Sequence, residues 1–383
     1  MTGLPVPVAI TGTGVHLPPE VVTNAELAAT LDTSDEWIVS RTGIRARRRL
    51  APDRATSDMC VAAARPALAA AGVTARDVDA IIVGPYTSDQ PLPSTALIVK
   101  EALGADRALT LDVTQTACAN GVQALFLAAH LPQTSAARTV LVLAADCAAR
   151  VTNSADRTTR VFFGDAAGAA ILTRASAPQG GLLGWDFGSE LSYDVEIPAA
   201  GEYPKMNGRA VWNTATRCLP DSILRATDNA AVPVEEVTHF FLHQANLNII
   251  QAALDKLGVP LARAPITVQS LGNTGSAGVF TALHERFGAG RSPPETRTWC
   301  RRSAPVSSGA PCVSATCDVT RGPGLAGATR RTSCPEPADA ARPGFRGAGR
   351  LVSRWAGQNC SPDWTRRIAA ISPLGLCRRP LTP

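Results

Sequence analysis

The chain has 383 residues, 45% of them hydrophobic and 18% charged, which suits a soluble globular protein with room for one large or two ordinary domains. No apolar stretch reaches membrane-spanning length, and Met1-Thr2-Gly3-Leu4-Pro5 lacks the basic-then-apolar pattern of a secretory signal, so a cytoplasmic protein is expected. The net charge of +5 averages two unlike parts: from Arg291 onward there are 15 Arg, no Lys and 5 acidic residues, against 22 basic and 27 acidic residues before it.

Up to residue 290 strand and helix alternate, the pattern of a layered α/β protein with central sheets. Val6–Ile10 reads as a strand that runs into a tight turn at Thr11-Gly12-Thr13-Gly14. Thr23-Asn24-Ala25-Glu26-Leu27 has the form of a capped helix start. Ser57–Ala71 has helical apolar spacing, and Val78–Gly84 is a buried strand. Leu111–Thr114 reads as a strand and Gly121–Ala129 as a buried helix; Arg138–Ala145, Ala167–Leu172 and Val237–Leu242 are further strands. Helices are expected over Leu247–Leu257 and Val279–Phe287.

Three positions carry chemistry. Cys118 lies at the start of the helix after Leu111–Thr114, where free N–H groups and the helix dipole favour a thiolate. Cys60, Cys147 and Cys218 sit inside ordinary apolar periodicity and read as small buried hydrophobes. His243 ends the strand Phe240-Phe241-Leu242 and is followed by the polar run Gln244-Ala245-Asn246, whereas His16, His130, His239 and His284 read as structural. Asn273 sits in the turn Gly272-Asn273-Thr274-Gly275, which by itself is an ordinary capped turn. A nucleophilic cysteine with two neutral hydrogen-bonding partners suits thioester chemistry.

Taken together, these motifs resemble β-ketoacyl-acyl-carrier-protein synthase III, an initiating condensing enzyme of the thiolase-like superfamily. The likeness covers roughly residues 6–290. It rests on Ile10–Gly14, Leu17-Pro18, Thr33–Ile38, Arg41–Arg45, Phe163–Ala169, His243–Asn246 and Gly272-Asn273-Thr274, all in the same order. The resemblance implies a five-layered αβαβα fold from two similar halves, 1–175 with the cysteine and 176–290 with His and Asn, and a homodimer. It implies that Cys118 takes an acyl group from acyl-CoA, and that His243 and Asn273 hold the thioester carbonyl of a malonyl-carrier protein. Loss of carbon dioxide then leaves an enolate that attacks the acyl-cysteine, giving a 3-oxoacyl-carrier protein in fatty-acid or polyketide initiation. No metal, cofactor, nucleic acid or membrane is implied.

By the same resemblance Trp37 stacks on the CoA adenine with Arg157 as its partner, Asn207 and Gly208 line the pantetheine arm, and Leu92 shapes the neighbouring subunit's pocket. Gln244, Ala245, Asn246, Leu247 and Asn248 fall where the carrier protein docks, with Asn248 standing where a basic residue is common. Cys118-Ala119-Asn120-Gly121 departs from the usual Cys-Ala-Gly, so a side chain at 120 is expected to reshape the acyl pocket, as in polyketide-pathway relatives. A starter-loading acyltransferase that does not condense, and a homologue inactivated at its end, are the alternative readings. A cysteine hydrolase fits less well, because no carboxylate stands beside His243 in the sequence.

The last 93 residues do not continue the family pattern. They hold 12 of the 29 Pro and 6 of the 10 Cys, no His and no Cys-x-x-Cys pair, and show neither strand nor helix periodicity. The family ends instead on a Gly-rich strand-loop-strand that supplies one oxyanion-hole donor, whose loss costs about 2.7–4 kcal/mol in barrier. A disordered tail produced by a reading-frame shift near residue 290, and with it a weakly active or unstable protein, is the expectation.

Overall fold

A computed structural model describes residues 4–114, 116–175, 181–189, 192–196 and 202–288, together with the backbone of two short strands beyond them. In chain order the elements begin with β1 (Val8–His16), β2 (Glu20–Thr23), α1 (Asn24–Ala28), α2 (Asp35–Thr42), β3 (Ala46–Arg49) and α3 (Thr56–Ala71). There follow β4 (Ala80–Val83), α4 (Thr95–Leu103), β5 (Leu109–Asp112), α5 (Asn120–Thr134), β6 (Thr139–Cys147), α6 (Arg157–Arg160) and β7 (Asp165–Arg174). Next come β8 (Val195–Glu196), β9 (Lys205–Met206), α7 (Gly208–Ala230), β10 (Val237–Leu242), α8 (Leu247–Lys256), α9 (Val268–Leu271) and α10 (Gly278–Phe287). The last are β11 (Cys312–Val313) and β12 (Cys317–Arg321).

The main sheet runs β1-β7-β6-β4-β5. β1, β7 and β6 are antiparallel neighbours, while β6, β4 and β5 are parallel, as crossover helices require. One face packs on α3, with Met59, Ala63 and Ala67 against Ile81, Leu141 and Ile171. The other face packs on α5 and α10, with Val122, Leu125, Phe280 and Leu283 against Ile82, Val142 and Leu172. β10 lies beyond these helices and alternates its side chains: Phe241 joins the α5–α10 layer, while Phe240 and Leu242 join Ile223 of α7 and Ile250 of α8. The layers therefore run helix, sheet, helix, sheet, helix, which is the five-layered α/β architecture expected.

Thr23 caps α1 through Glu26, and the pair closes a reciprocal capping box, as its spacing predicts. The expected turn at Thr11–Gly14 is instead the middle of β1. Its glycines serve close packing: a Cβ at Gly12 would lie 2.3 Å from Ala67 O, and one at Gly14 would lie 2.2 Å from Ala63 O. Helix α3 thus rests directly on the strand backbone.

The expectation of a tail without regular structure is corrected at two places. β12 pairs antiparallel with β10, and β11 pairs with β12. Beyond these two strands, the expectations for residues 291–383 lie outside the described residues. No helix among the described residues is long and apolar enough to cross a membrane.

Candidate active site

Cys118 stands in the 3-10 turn Ala117–Ala119, one turn ahead of α5 rather than in its first turn. Ala117 takes φ +46°, a left-handed value that costs an alanine about 1–3 kcal/mol and has to be held from outside. Asn120 supplies that hold. Its Oδ1 accepts the Thr116 backbone N–H and hydroxyl, both at 2.8 Å, and its Nδ2 donates to Pro85 O at 3.0 Å. The expectation that a side chain at 120 reshapes the acyl pocket is therefore corrected: the carboxamide is fully buried and committed to bracing the nucleophile's turn.

Cys118 and His243 both lie deep in the fold yet keep partial solvent access. Burial pushes the Cys118 thiol up to about 12, with the Asp146 carboxyl adding to the rise and a backbone hydrogen bond opposing it. The thiolate expected from the helix start is thus outweighed by desolvation. Burial alone lowers His243 to about 4, so at neutral pH it is an uncharged imidazole able to accept a proton or share a hydrogen bond. Its Nδ1 is buried without a hydrogen-bond partner among the described residues.

Asn273 is tied to the first half of the chain. Its N–H donates to Phe162 O at 2.8 Å, and its carbonyl accepts from Gly164 N at 3.0 Å. Its Oδ1 accepts the Gly275 N–H at 3.0 Å, which leaves Nδ2 as a donor without a partner among the described residues. The following 3-10 turn, Gly275–Ala277, packs against the turn that carries Cys118. The next residue, Gly278, approaches the histidine so closely that a Cβ there would lie 3.5 Å from His243 Nδ1. The segments bearing cysteine, histidine and asparagine thus meet at one place, the start of α10.

Of the other expected contacts, Trp37 and Arg157 do come together, with the guanidinium carbon 5.3 Å from the ring centroid. Arg157 also donates to Asp32 O at 2.7 Å. Asn207 caps α7 through Ala210 N and donates to Asp194, so its side chain is engaged locally, and Gly208 opens that helix on the surface. Leu92 is 84% exposed.

The carrier-docking expectation is corrected at Gln244. That side chain is fully buried, accepts from Thr267 N and Val268 N, and donates to Leu242 O and Pro265 O. It organises the loop before α9 from inside the fold. Asn246 caps α8 and donates to Arg41 O, Asn248 donates to Ser40 O, and Leu247 packs beside Gly43, which docks α8 on α2; Ala245 is half-buried.

Sequence reasoning missed Asp146, a fully buried carboxyl at the end of the apolar strand β6. The available signal was a lone acid after an unbroken apolar run. A cavity of about 790 Å3, lined in part by Tyr86, Asp89, Asp112 and Cys147, lies at the end of β6. Cys118, His243 and Asn273 do not line it.

This fold and its cysteine, histidine and asparagine define a thiolase-like condensing enzyme. The family model for 3-oxoacyl-[acyl-carrier-protein (ACP)] synthase III matches residues 111–190, and that for its C-terminal part matches residues 227–299. The β-ketoacyl-[acyl-carrier-protein] synthase III of Geobacillus kaustophilus is 39% identical over 282 residues, 74% of this chain and 90% of the relative. The structure of 3-oxoacyl-[acyl-carrier-protein] synthase III from Aquifex aeolicus superposes with a TM-score of 0.72 at 31% identity, over 82% of this chain and all of that one. The priming β-ketosynthase of the R1128 polyketide pathway superposes with a TM-score of 0.70 at 30% identity, over 85% of this chain and 99% of that one. The chain belongs to the β-ketoacyl-acyl-carrier-protein synthase III family.

Proposed function

We propose that the protein joins an acyl group from acyl-CoA to a malonyl unit on a carrier protein. Cys118 attacks the acyl-CoA carbonyl, loses its proton to the neutral His243, and expels coenzyme A as the thiol. Because the thiol is held protonated, its proton leaves as the sulfur–carbon bond forms. In the second step the malonyl thioester carbonyl sits against the Asn273 Nδ2 hydrogens and the imidazole. Carbon dioxide leaves, negative charge gathers on that oxygen, and the carbanion attacks the acyl-cysteine carbonyl; the carbon–sulfur bond breaks, the Cys118 thiolate leaves and takes a proton from solvent, and a 3-oxoacyl-carrier protein is released. The observation that carries this reading is the Asn273 carboxamide, whose Oδ1 is occupied by Gly275 N–H so that Nδ2, without a partner among the described residues, can donate. A starter-loading enzyme without condensation has no need of such a fixed donor.

Incubation with a panel of acyl-CoAs and malonyl-carrier protein, followed by intact mass, tests this. An acyl adduct on Cys118 and an extended product support it. Free acid would instead mean hydrolysis, and an adduct without extension would mean loading only.

The Trp37–Arg157 stack is the proposed platform for the CoA adenine. The proposed dimer forms across β5, the edge of the main sheet, where Leu109 and Leu111 are 59% and 43% exposed. This reading puts Leu92 at the same margin; in its support, Thr95 and Ala96 further along the chain donate to Asp112 at the end of β5. Sedimentation of the intact protein checks this, and a monomer removes it. We further propose that the Arg- and Pro-rich stretch beyond residue 290 is an out-of-frame ending. The matched relative from Geobacillus kaustophilus aligns over 90% of its own length. The other reading frames of the gene beyond that point should then encode a Gly-rich strand pair, and finding none would remove the proposal.

A further inference from the structure

Asp146 is fully buried, and its carboxyl accepts five hydrogen bonds. Oδ1 takes the N–H of Tyr86 at 2.8 Å, the N–H of Thr87 at 3.1 Å and the Thr87 hydroxyl at 3.2 Å. Oδ2 takes the Ser276 N–H at 2.8 Å and the Ser276 hydroxyl at 2.6 Å. No Lys, Arg or His pairs with it among the described residues. Five convergent donors favour the ionised carboxylate and so oppose the burial that disfavours it.

Both halves of this network lead to the reaction centre. On one side Ser276 lies in the Gly275–Ala277 turn, whose Gly275 N–H holds Asn273 Oδ1. Gly275 takes φ +60°, and a Cβ there would lie 2.4 Å from Asp146 Oδ2 and 2.6 Å from the Tyr86 ring, so carboxylate, glycine and asparagine form one close-packed unit. On the other side Asp146 fixes Tyr86 and Thr87, next to Pro85, whose carbonyl receives Asn120 Nδ2. Asn120 in turn braces Thr116, ahead of Cys118.

We propose that Asp146 is a positioning residue for the condensation step, its carboxylate fixing the Gly275–Ala277 turn so that Asn273 keeps its Nδ2 hydrogens on the developing enolate oxygen. This rests on the role given above to Asn273. The same charge acts on the nucleophile in the opposite sense. Asp146 raises the Cys118 thiol further than burial alone, so the carboxylate holds the donor in place at the cost of a less acidic sulfur. The titratable groups that feel Asp146 are Cys118 and Tyr86 from the facing turns, Cys60 from α3 and Cys147 on its own strand. Asp146 itself is raised to about 7 by burial, opposed by its donors.

The test uses the full-length chain as wild type, Asp146→Asn, Ser276→Ala and Asn273→Ala. Three readouts are taken: single-turnover decarboxylation of malonyl-carrier protein, the pH profile of Cys118 alkylation by iodoacetamide, and hydrogen exchange of the peptide spanning 273–278. In Asp146→Asn one oxygen is replaced by a donor that faces other donors. Decarboxylation should fall about tenfold or more, the alkylation profile should move to lower pH, and exchange in the turn should quicken. Ser276→Ala keeps the charge and the backbone donor, so it should lose less decarboxylation and leave the alkylation profile in place. A merely structural aspartate would depress alkylation and decarboxylation together, and that outcome overturns the proposal. So does unchanged decarboxylation or unchanged exchange in Asp146→Asn. A wild type that neither acylates nor decarboxylates would instead overturn the roles of Cys118 and Asn273, while exchange in the turn would still judge Asp146.

Discussion

The two larger sheets among the described residues are built to different depths. In the main sheet every residue of β6 is buried, and its register with β7 is unbroken from Thr139–Thr173 to Cys147–Asp165. In the second, β10 pairs with β12 at Val237 and again at Phe240–Leu242, with a shift between. The nucleophile hangs from loops of the deep sheet, whereas His243 ends the strand of the shallow one. Asn273 lies between these cases, since its sequence belongs to the second half but its backbone is bonded to Phe162 and Gly164 of the first. On the roles proposed above, acyl capture rests on the loops of the deep sheet, and enolate stabilisation rests on how Phe162 and Gly164 steady Asn273.

The sharpest division between the halves comes from removing one group from each. Cys118→Ala should abolish the acyl adduct in intact mass and lower chain extension by more than about 10⁴-fold, the scale of losing a nucleophile. An adduct that survives would place the nucleophile elsewhere. Asn273→Ala should leave the adduct in place and lower decarboxylation by about 10²–10³-fold, as for loss of one oxyanion donor. If both steps fall equally, the two halves do not divide the reaction as the geometry implies.

Smaller effects are expected from the histidines of β10 and its end. Burial lowers both His239 and His243 to about 4, from 6.5. Between pH 6.5 and 4 the unfolded chain binds protons that the folded chain does not. Their effect on stability is nil above that window and grows as the pH falls through it, so folding weakens on the acid side. His16 and His284 shift in the same direction, whereas the raised Asp146 carboxyl acts oppositely. The sign is therefore read from a difference. The acid-side fall in urea midpoint should be shallower in His243→Gln than in wild type, and an unchanged slope would mean that the imidazole is not desolvated.

Much of this arrangement was legible in the sequence where local rules decide. β4, β6, α3 and α8 follow from apolar periodicity, and the start of α1 follows from the Thr23–Glu26 pair. The failures share one cause, which is that the deciding neighbour is distant in sequence. Gly12 and Gly14 look like a turn until α3 is laid on them. Gln244 looks like a surface polar group until Thr267 and Val268 arrive to donate to it. Asn120 looks like a pocket-narrowing substitution until Pro85, 35 positions away, takes up its Nδ2. Asp146 meets Ser276 across 130 positions, a contact that no window along the chain can reveal.

The least expected element is β12, and the smallest predicted effect tests it. Phe240 of β10 stands opposite Val319, within a stretch of the chain whose composition matches no other part of it. If this pairing supports the shallow sheet, Val319→Pro removes a backbone donor from the ladder and should cost about 0.5–1.5 kcal/mol, the net value of one hydrogen bond. That loss should appear as a lower urea midpoint, with hydrogen exchange quickened in β10 and unchanged in β6. Phe240→Ala provides the scale, since truncating a fully buried phenylalanine should cost about 3–5 kcal/mol. A Val319→Pro protein with wild-type midpoint and wild-type exchange in β10 would show that β12 contributes nothing to the sheet. The second half would then be held by its contacts with the first, through Asn273 and Asp146, and by the packing of α7 and α8 on β10.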